Sequence, residues 1–125
     1  MAAADLQTRV LAALDTVQDP CSLAQAIPIG IAEMGMVTDV RVGGADEVGL
    51  RDVELVLRVT APGCMYVPFM DRSIRAAVGE LEEVRDVSTV WEPTADWTPD
   101  AISPPARARI AEARRRRLSG VGPRR

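Results

Sequence analysis

Val53-Glu54-Leu55-Val56-Leu57-Arg58-Val59-Thr60-Ala61-Pro62-Gly63-Cys64-Met65 decides the fold and points to the chemistry. Val53 to Thr60 is a β-branched and aliphatic run with the composition of a strand. From Met65 to Leu81 the period changes, and Met70, Ile74, Ala77, Val78 and Leu81 fall on one helical face. Pro68 lies in the first turns of that helix, where a missing N–H is tolerated. Pro62-Gly63 forces the tight turn between the two elements, and Gly63 permits close backbone approach. Cys64 thus stands at the opening of a helix.

Upstream, Ala4 to Val17 places Leu6, Val10, Leu11, Leu14 and Val17 at helical spacing. Asp19-Pro20 ends that helix, because Pro20 removes a donor and disfavours helical geometry at Asp19. A loop runs from Asp19 to about Gly30. Met36 to Val42 reads as a strand with Met36, Thr38, Val40 and Val42 on one side and Val37, Asp39 and Arg41 on the other. Gly43-Gly44-Ala45-Asp46 is a turn signal, so this strand and Val53–Thr60 are expected to form an antiparallel hairpin.

Downstream, Val84 to Trp91 reads as a third strand, with Val84, Asp86 and Ser88 opposed to Arg85, Val87 and Thr89. Glu92 to Pro99 is a loop. Ser103 is the expected N-cap, and Pro104 the first residue, of a last helix that reaches about Leu118. Ser119 to Arg125 reads as disordered. The expected fold is a small single α+β domain with the order helix–strand–strand–helix–strand–helix and helices packed on a short mixed sheet. Residues 1–100 form the body and 101–125 a basic C-terminal tail.

A chain of 125 residues with 47% hydrophobic and 26% charged residues suits one globular domain. No apolar stretch approaches a membrane span, and the N-terminus lacks the pattern of an export signal, so the expected location is cytoplasmic. All 15 basic residues are arginine. Residues 1–100 hold seven Arg against seventeen acids, a formal −10, and residues 101–125 hold eight Arg against Glu112 alone, a formal +7. Such a tail either folds back on the body or meets an acidic partner. The acidic body argues against a nucleic-acid footprint for the Arg114-Arg115-Arg116-Arg117 run, which reads instead as solvated or partner-docking.

The absence of histidine excludes Ser-His-Asp and Cys-His catalysis, and no Cys-x-x-Cys pair exists for dithiol chemistry. No enzymatic centre is expected. A thiol at a helix N-terminus is favoured as thiolate by the helix dipole and by unpartnered amides, and thiolate binds soft metals. By position alone a lone cysteine is somewhat more readily a buried apolar residue, but the Pro62-Gly63 turn is the geometry of an exposed helix cap. Asp19, Cys21 and Cys64 would form a mixed oxygen and sulfur set if the two loops meet at one end of the domain. That set is too small to close a tetrahedral site, so cargo would need ligands from a second subunit, a small thiol or a client. Thr60 can hydrogen-bond the turn or merely finish the strand. Met34, Met36, Met65 and Met70 read more readily as core filler than as ligands. Trp91 and Trp97 bracket a loop, as anchors or as a docking surface.

Asp19-Pro20 after the first helix, Glu33-Met34-Gly35-Met36-Val37, and Thr60-Ala61-Pro62-Gly63-Cys64 follow in an order that resembles the iron–sulfur cluster assembly family once called domain of unknown function 59, which includes SufT-like proteins. The resemblance spans roughly Leu6 to Glu92. It implies a non-enzymatic role in metal–sulfur cluster biosynthesis, with Cys64 as reactive cysteine and Asp19 as the aspartate after the first helix. Three departures stand out: Cys21 where the family has Glu, Met65 where it has Pro, and the arginine tail.

The expected function is therefore an accessory factor that transiently holds an iron–sulfur cluster or iron. Cys64 would be the ligand, assisted by Asp19 and Cys21 and supported by Thr60, Pro62 and Gly63. Its partners would be a client metalloenzyme, by analogy a bacterial oxygenase, or other cluster-assembly proteins. Trp91, Trp97 and Arg114 to Arg117 would dock them, and a homodimer is one further arrangement. The alternative is a metal-free interaction module, an assembly chaperone or regulatory subunit of an oxygenase.

Overall fold

A computed structural model of the chain describes residues 3–18, 28–60, 66–92 and 96–119. The elements in order are α1 (Ala3–Leu14), β1 (Val37–Val42), β2 (Arg51–Arg58), α2 (Val67–Gly79), β3 (Val84–Glu92), a short 3₁₀ turn (Pro99–Ala101) and α3 (Pro104–Ser119). The order and the α+β class are those expected from the sequence. The sheet is mixed, with strand order β1-β2-β3; β1 runs antiparallel to β2, and β3 parallel to it. A parallel neighbour needs a crossover, and α2 supplies it.

The central strand sets the core. Val53, Leu55 and Leu57 are buried on one face of β2, where they meet Leu6, Val10 and Leu14 of α1 and Met70, Ile74 and Val78 of α2 in one cluster. Each such fully buried side chain stabilises the fold by roughly 1.5–3 kcal/mol relative to exposure. Met34, Met36 and Met70 are buried in this cluster, which gives them a packing role.

Strict alternation fails in both outer strands, for the same reason. The β1–β2 register slips between Val37 and Asp39, so Val37, Val40 and Val42 lie opposite Leu57, Leu55 and Val53. Thr38 is thereby expelled from the inward set, and its hydroxyl donates to Val56 O at 3.0 Å. The β2–β3 register slips between Arg51 and Asp52, so Val84 and Val87 are both buried although three positions apart. A one-residue bulge is what lets two inward side chains stand at that spacing. The expected facings of Thr38, Val37 and Val87 are corrected accordingly.

α1 stops at Leu14 rather than at Val17. Thr16 N and Val17 N donate to Ala13 O and Leu14 O in a tightened last turn, and Ile31 N then donates to Val17 O. Gln18 bridges Gly30. A Cβ at Gly30 would lie 2.4 Å from Asp15 Cα, so only glycine allows this approach. Ser119, expected to begin a disordered tail, closes α3; residues 120–125 lie outside the described residues.

Candidate functional site

The segment Glu33-Met34-Gly35-Met36 is a junction on which four parts of the chain converge. Ser103 N donates to Glu33 O at 2.8 Å, and Trp97 Nε1 to Met34 O at 2.5 Å. Arg58 Nε donates to Gly35 O at 2.9 Å, while its backbone N–H reaches Met36 O at 2.9 Å. From α1, Asp15 Oδ1 accepts the Glu33 N–H at 2.9 Å. Gly35 has φ +77°, and a Cβ there would lie 2.4 Å from Ala101 O. This glycine is required twice, by its left-handed backbone and by that close approach.

Charge at the junction is graded by burial and pairing. Burial, aided by repulsion from Glu33, raises the Asp15 pKa above the ordinary aspartate value despite its backbone bond to Glu33. The hydrogen bond from Arg109, 2.7 Å from Glu33 Oε1, holds the Glu33 carboxyl below its ordinary value.

A second cluster ties α2 to β3. Asp71 Oδ1 accepts from Thr89 Oγ1 at 2.5 Å and Trp91 Nε1 at 2.9 Å; Asp71 Oδ2 accepts from Arg75 Nε at 2.8 Å. Burial opposes the charge on Asp71, and these donors more than offset it, so its pKa is lowered. The i,i+4 spacing of Asp71 and Arg75 was visible in the sequence, but its use of Thr89 and Trp91 was not.

Asp19, Cys21, Pro62, Gly63 and Cys64, the centre of the expected site, lie outside the described residues, as does Met65. Their described flanks converge. Gln18, one residue before Asp19, and Phe69, five after Cys64, line the same open hollow of about 490 Å³ between the end of α1 and the length of α2. Thr60, half-buried, ends the chain's run out of β2. Helix α2 begins at Val67, two residues later than expected, with Tyr66 at the N-cap and no hydrogen bond from the Tyr66 side chain to its first turn. The Tyr66 side chain thus leaves the positive end of that helix uncapped.

Trp91 and Trp97 are half-buried, with both indole N–H groups bound internally. Tyr66 and Phe69, which composition alone did not single out, are 54% and 57% exposed. Arg114 to Arg117 are exposed along the second half of α3, where Arg115 and Arg116 pair with Glu112. Among the described residues no group of three or more Asp, Glu or Cys is placed to hold a metal ion. With two cysteines and no histidine in the sequence, the chain's own soft donors cannot complete a four-ligand cluster site. None of the described helices is long and apolar enough to cross a membrane.

These motifs and this fold are those of an iron–sulfur assembly domain. Residues 7–89 match the family described as iron–sulfur cluster assembly protein, and the chain belongs to that family. It is 33% identical over 100 residues to the Fe-S protein maturation auxiliary factor YitW of Bacillus subtilis (strain 168), across 78% of this chain and 86% of the relative. In fold it is similar to a crystal structure of a domain of unknown function, DUF59, from Bacillus anthracis. That likeness has TM-score 0.68 and 19% identity over 86% of this chain and 93% of the other. The family match stops within β3, so α3 and its arginines lie beyond it.

Proposed function

We propose that this protein is a non-enzymatic maturation factor that receives an iron–sulfur cluster or iron on the Cys64 thiolate and passes it to a client metalloenzyme. Membership of the assembly family and the naming of its Bacillus subtilis relative as a maturation auxiliary factor support the role. The observation that carries the site is the convergence of Gln18 and Phe69 on one hollow that runs along α2 from its first turn to Glu80. That convergence supports an Asp19 loop and a Cys64 loop that share one end of the domain. Asp19 and Cys21 would assist, with Thr60, Pro62 and Gly63 shaping the turn. A single soft thiolate suits transfer, since one ligand binds cargo weakly enough to release it. The remaining ligands come from the donor, the client or a small thiol. Trp91, Trp97 and the arginines of α3 are the proposed docking residues.

The test is anaerobic reconstitution of the full chain with iron and sulfide, followed by visible spectroscopy and client activation. Charge-transfer bands are expected, and Cys64→Ala should abolish both bands and activation while leaving the circular dichroism unchanged. Full client activity with Cys64→Ala as the sole copy would end the proposal. A colourless protein that still binds and activates its client would instead identify a metal-free assembly module.

A further inference from the structure

We infer that the hollow between α1 and α2 receives the arginine-rich C-terminal helix of a second copy of this chain. The hollow has an apolar wall, in which Val17, Phe69, Ala76 and Ala77 take part, and Glu80 stands at its end. Phe69 is more than half exposed there, and Tyr66 just before it is equally so. These are the chain's single Phe and single Tyr. Rigid aromatic side chains left open beside a concave surface are what interface centres are built from. Glu80 and the nearby Glu82 are exposed and form no ion pair among the described residues.

The complementary surface is on the same molecule. α3 is held as far as Ala113, by Ser103 N to Glu33 O, by Arg109 to Glu33, by the buried Ala106 and by the half-buried Ile110 and Ala113 packed against the core. Beyond Glu112 it is cationic, with Arg114 and Arg116 exposed, and Leu118 is 83% exposed at its end. A helix that is basic with an aliphatic tip fits a groove that is aromatic with an acidic end. No described residue of α3 lines the chain's own hollow, which leaves that hollow to a neighbour.

Charge decides between a second copy and another acidic protein. The body carries −10 and the tail +7, so a foreign acidic surface that attracts the helix is repelled by the body. A second copy presents both signs and satisfies both. Reciprocal exchange about a two-fold axis makes the contact twice, and the second contact forms at high effective concentration. The inference gives a further use to the arginines proposed to dock a client, and it needs no thiol.

Sedimentation of the metal-free full chain tests it. At low salt the chain should be a dimer, and its dissociation constant should rise about tenfold or more toward 0.5 M salt, as screening shortens the Debye length. Leu118→Asp, at an exposed position that folding does not need, should give a monomer, and Phe69→Asp should do the same. A photo-crosslinking p-benzoylphenylalanine in place of Thr16 should join α3 of the other copy, read by mass spectrometry on a mixture of isotope-labelled and unlabelled chains. A chain that stays monomeric at low salt overturns the inference. So does a dimer indifferent to Leu118→Asp, or crosslinks confined to residues outside α3. Cys64→Ala should dimerise like the parent, so failure of the metal-handling proposal and failure of this one read out separately.

Discussion

Arg109 Nη2 lies 2.7 Å from Glu33 Oε1 and joins the last helix to the turn that leads into β1. The two side chains are 47% and 26% exposed, so screening leaves the pair worth about 0.5–1 kcal/mol. Its larger effect is positional, because the same turn binds Ser103 N, Trp97 Nε1 and Arg58. The turn thereby fixes both α3 and the end of β2 from which the thiol loop departs.

Arg109→Gln should loosen the start of α3 by about that amount without unfolding the body. Hydrogen-exchange protection of the amides of residues 106–112 would fall while β2 stays protected. Because the Glu33 pKa is depressed in the fold, the contribution is present above the unfolded carboxylate value of about 4.3 and is lost as pH falls through the folded value. Protection that does not change on acidification would show that the pair holds nothing.

Gly35→Ala should cost about 2 kcal/mol or more, since it combines φ +77° with a Cβ 2.4 Å from Ala101 O. Gly44→Ala, which would meet nothing within 4 Å, should stay within about 0.5 kcal/mol of the parent. Denaturant titration of the two variants side by side measures the contrast. Equal midpoints would refute the close approach.

Removing Asp71 should free Trp91. Asp71→Ala leaves the Thr89 hydroxyl and the Trp91 indole N–H without their acceptor, at a cost of about 1–3 kcal/mol. The Trp91 indole Nε1–H resonance should shift, and that of Trp97, bonded to Met34 O, should not. The depressed pKa of Asp71 means that its contribution fades as pH falls through the folded value, so parent and variant should converge in acid. An unmoved Trp91 resonance would count against the network.

Asp15 should behave in the opposite sense. Its folded pKa is raised, so the native state holds its proton longer than the unfolded chain and stability declines as pH rises past the unfolded aspartate value. Asp15→Asn keeps an acceptor for Glu33 N–H and removes the charge. Relative to the parent, the variant should gain stability between acid and neutral pH in thermal melts. A difference that is flat with pH would contradict the raised pKa.

Much of the architecture was legible because it rests on local periodicity. Leu6, Val10 and Leu14 announce α1, and the β-branched run with Met70, Ile74 and Val78 after it announces β2 and α2. The bulges at Thr38 and Arg85 were not legible, since each arises from fitting an outer strand to a neighbour whose register is already set. The exposure of Tyr66 was not legible because exposure is a property of the folded surface, nor was the role of Asp71 as an acceptor, because its partners lie 18 and 20 positions away.

The sequence by itself determined the order of elements, the acidic body, the basic end, and the motifs that mark an iron–sulfur assembly protein, because periodicity, charge and composition are local and additive. Only the tertiary structure decided that Gln18 and Phe69 share one hollow, that Glu33 grips Arg109, and that both indole N–H groups are bonded internally while Tyr66 and Phe69 are exposed. Those relationships join residues tens of positions apart. Spacing along a chain carries no distance between such residues until packing brings them together.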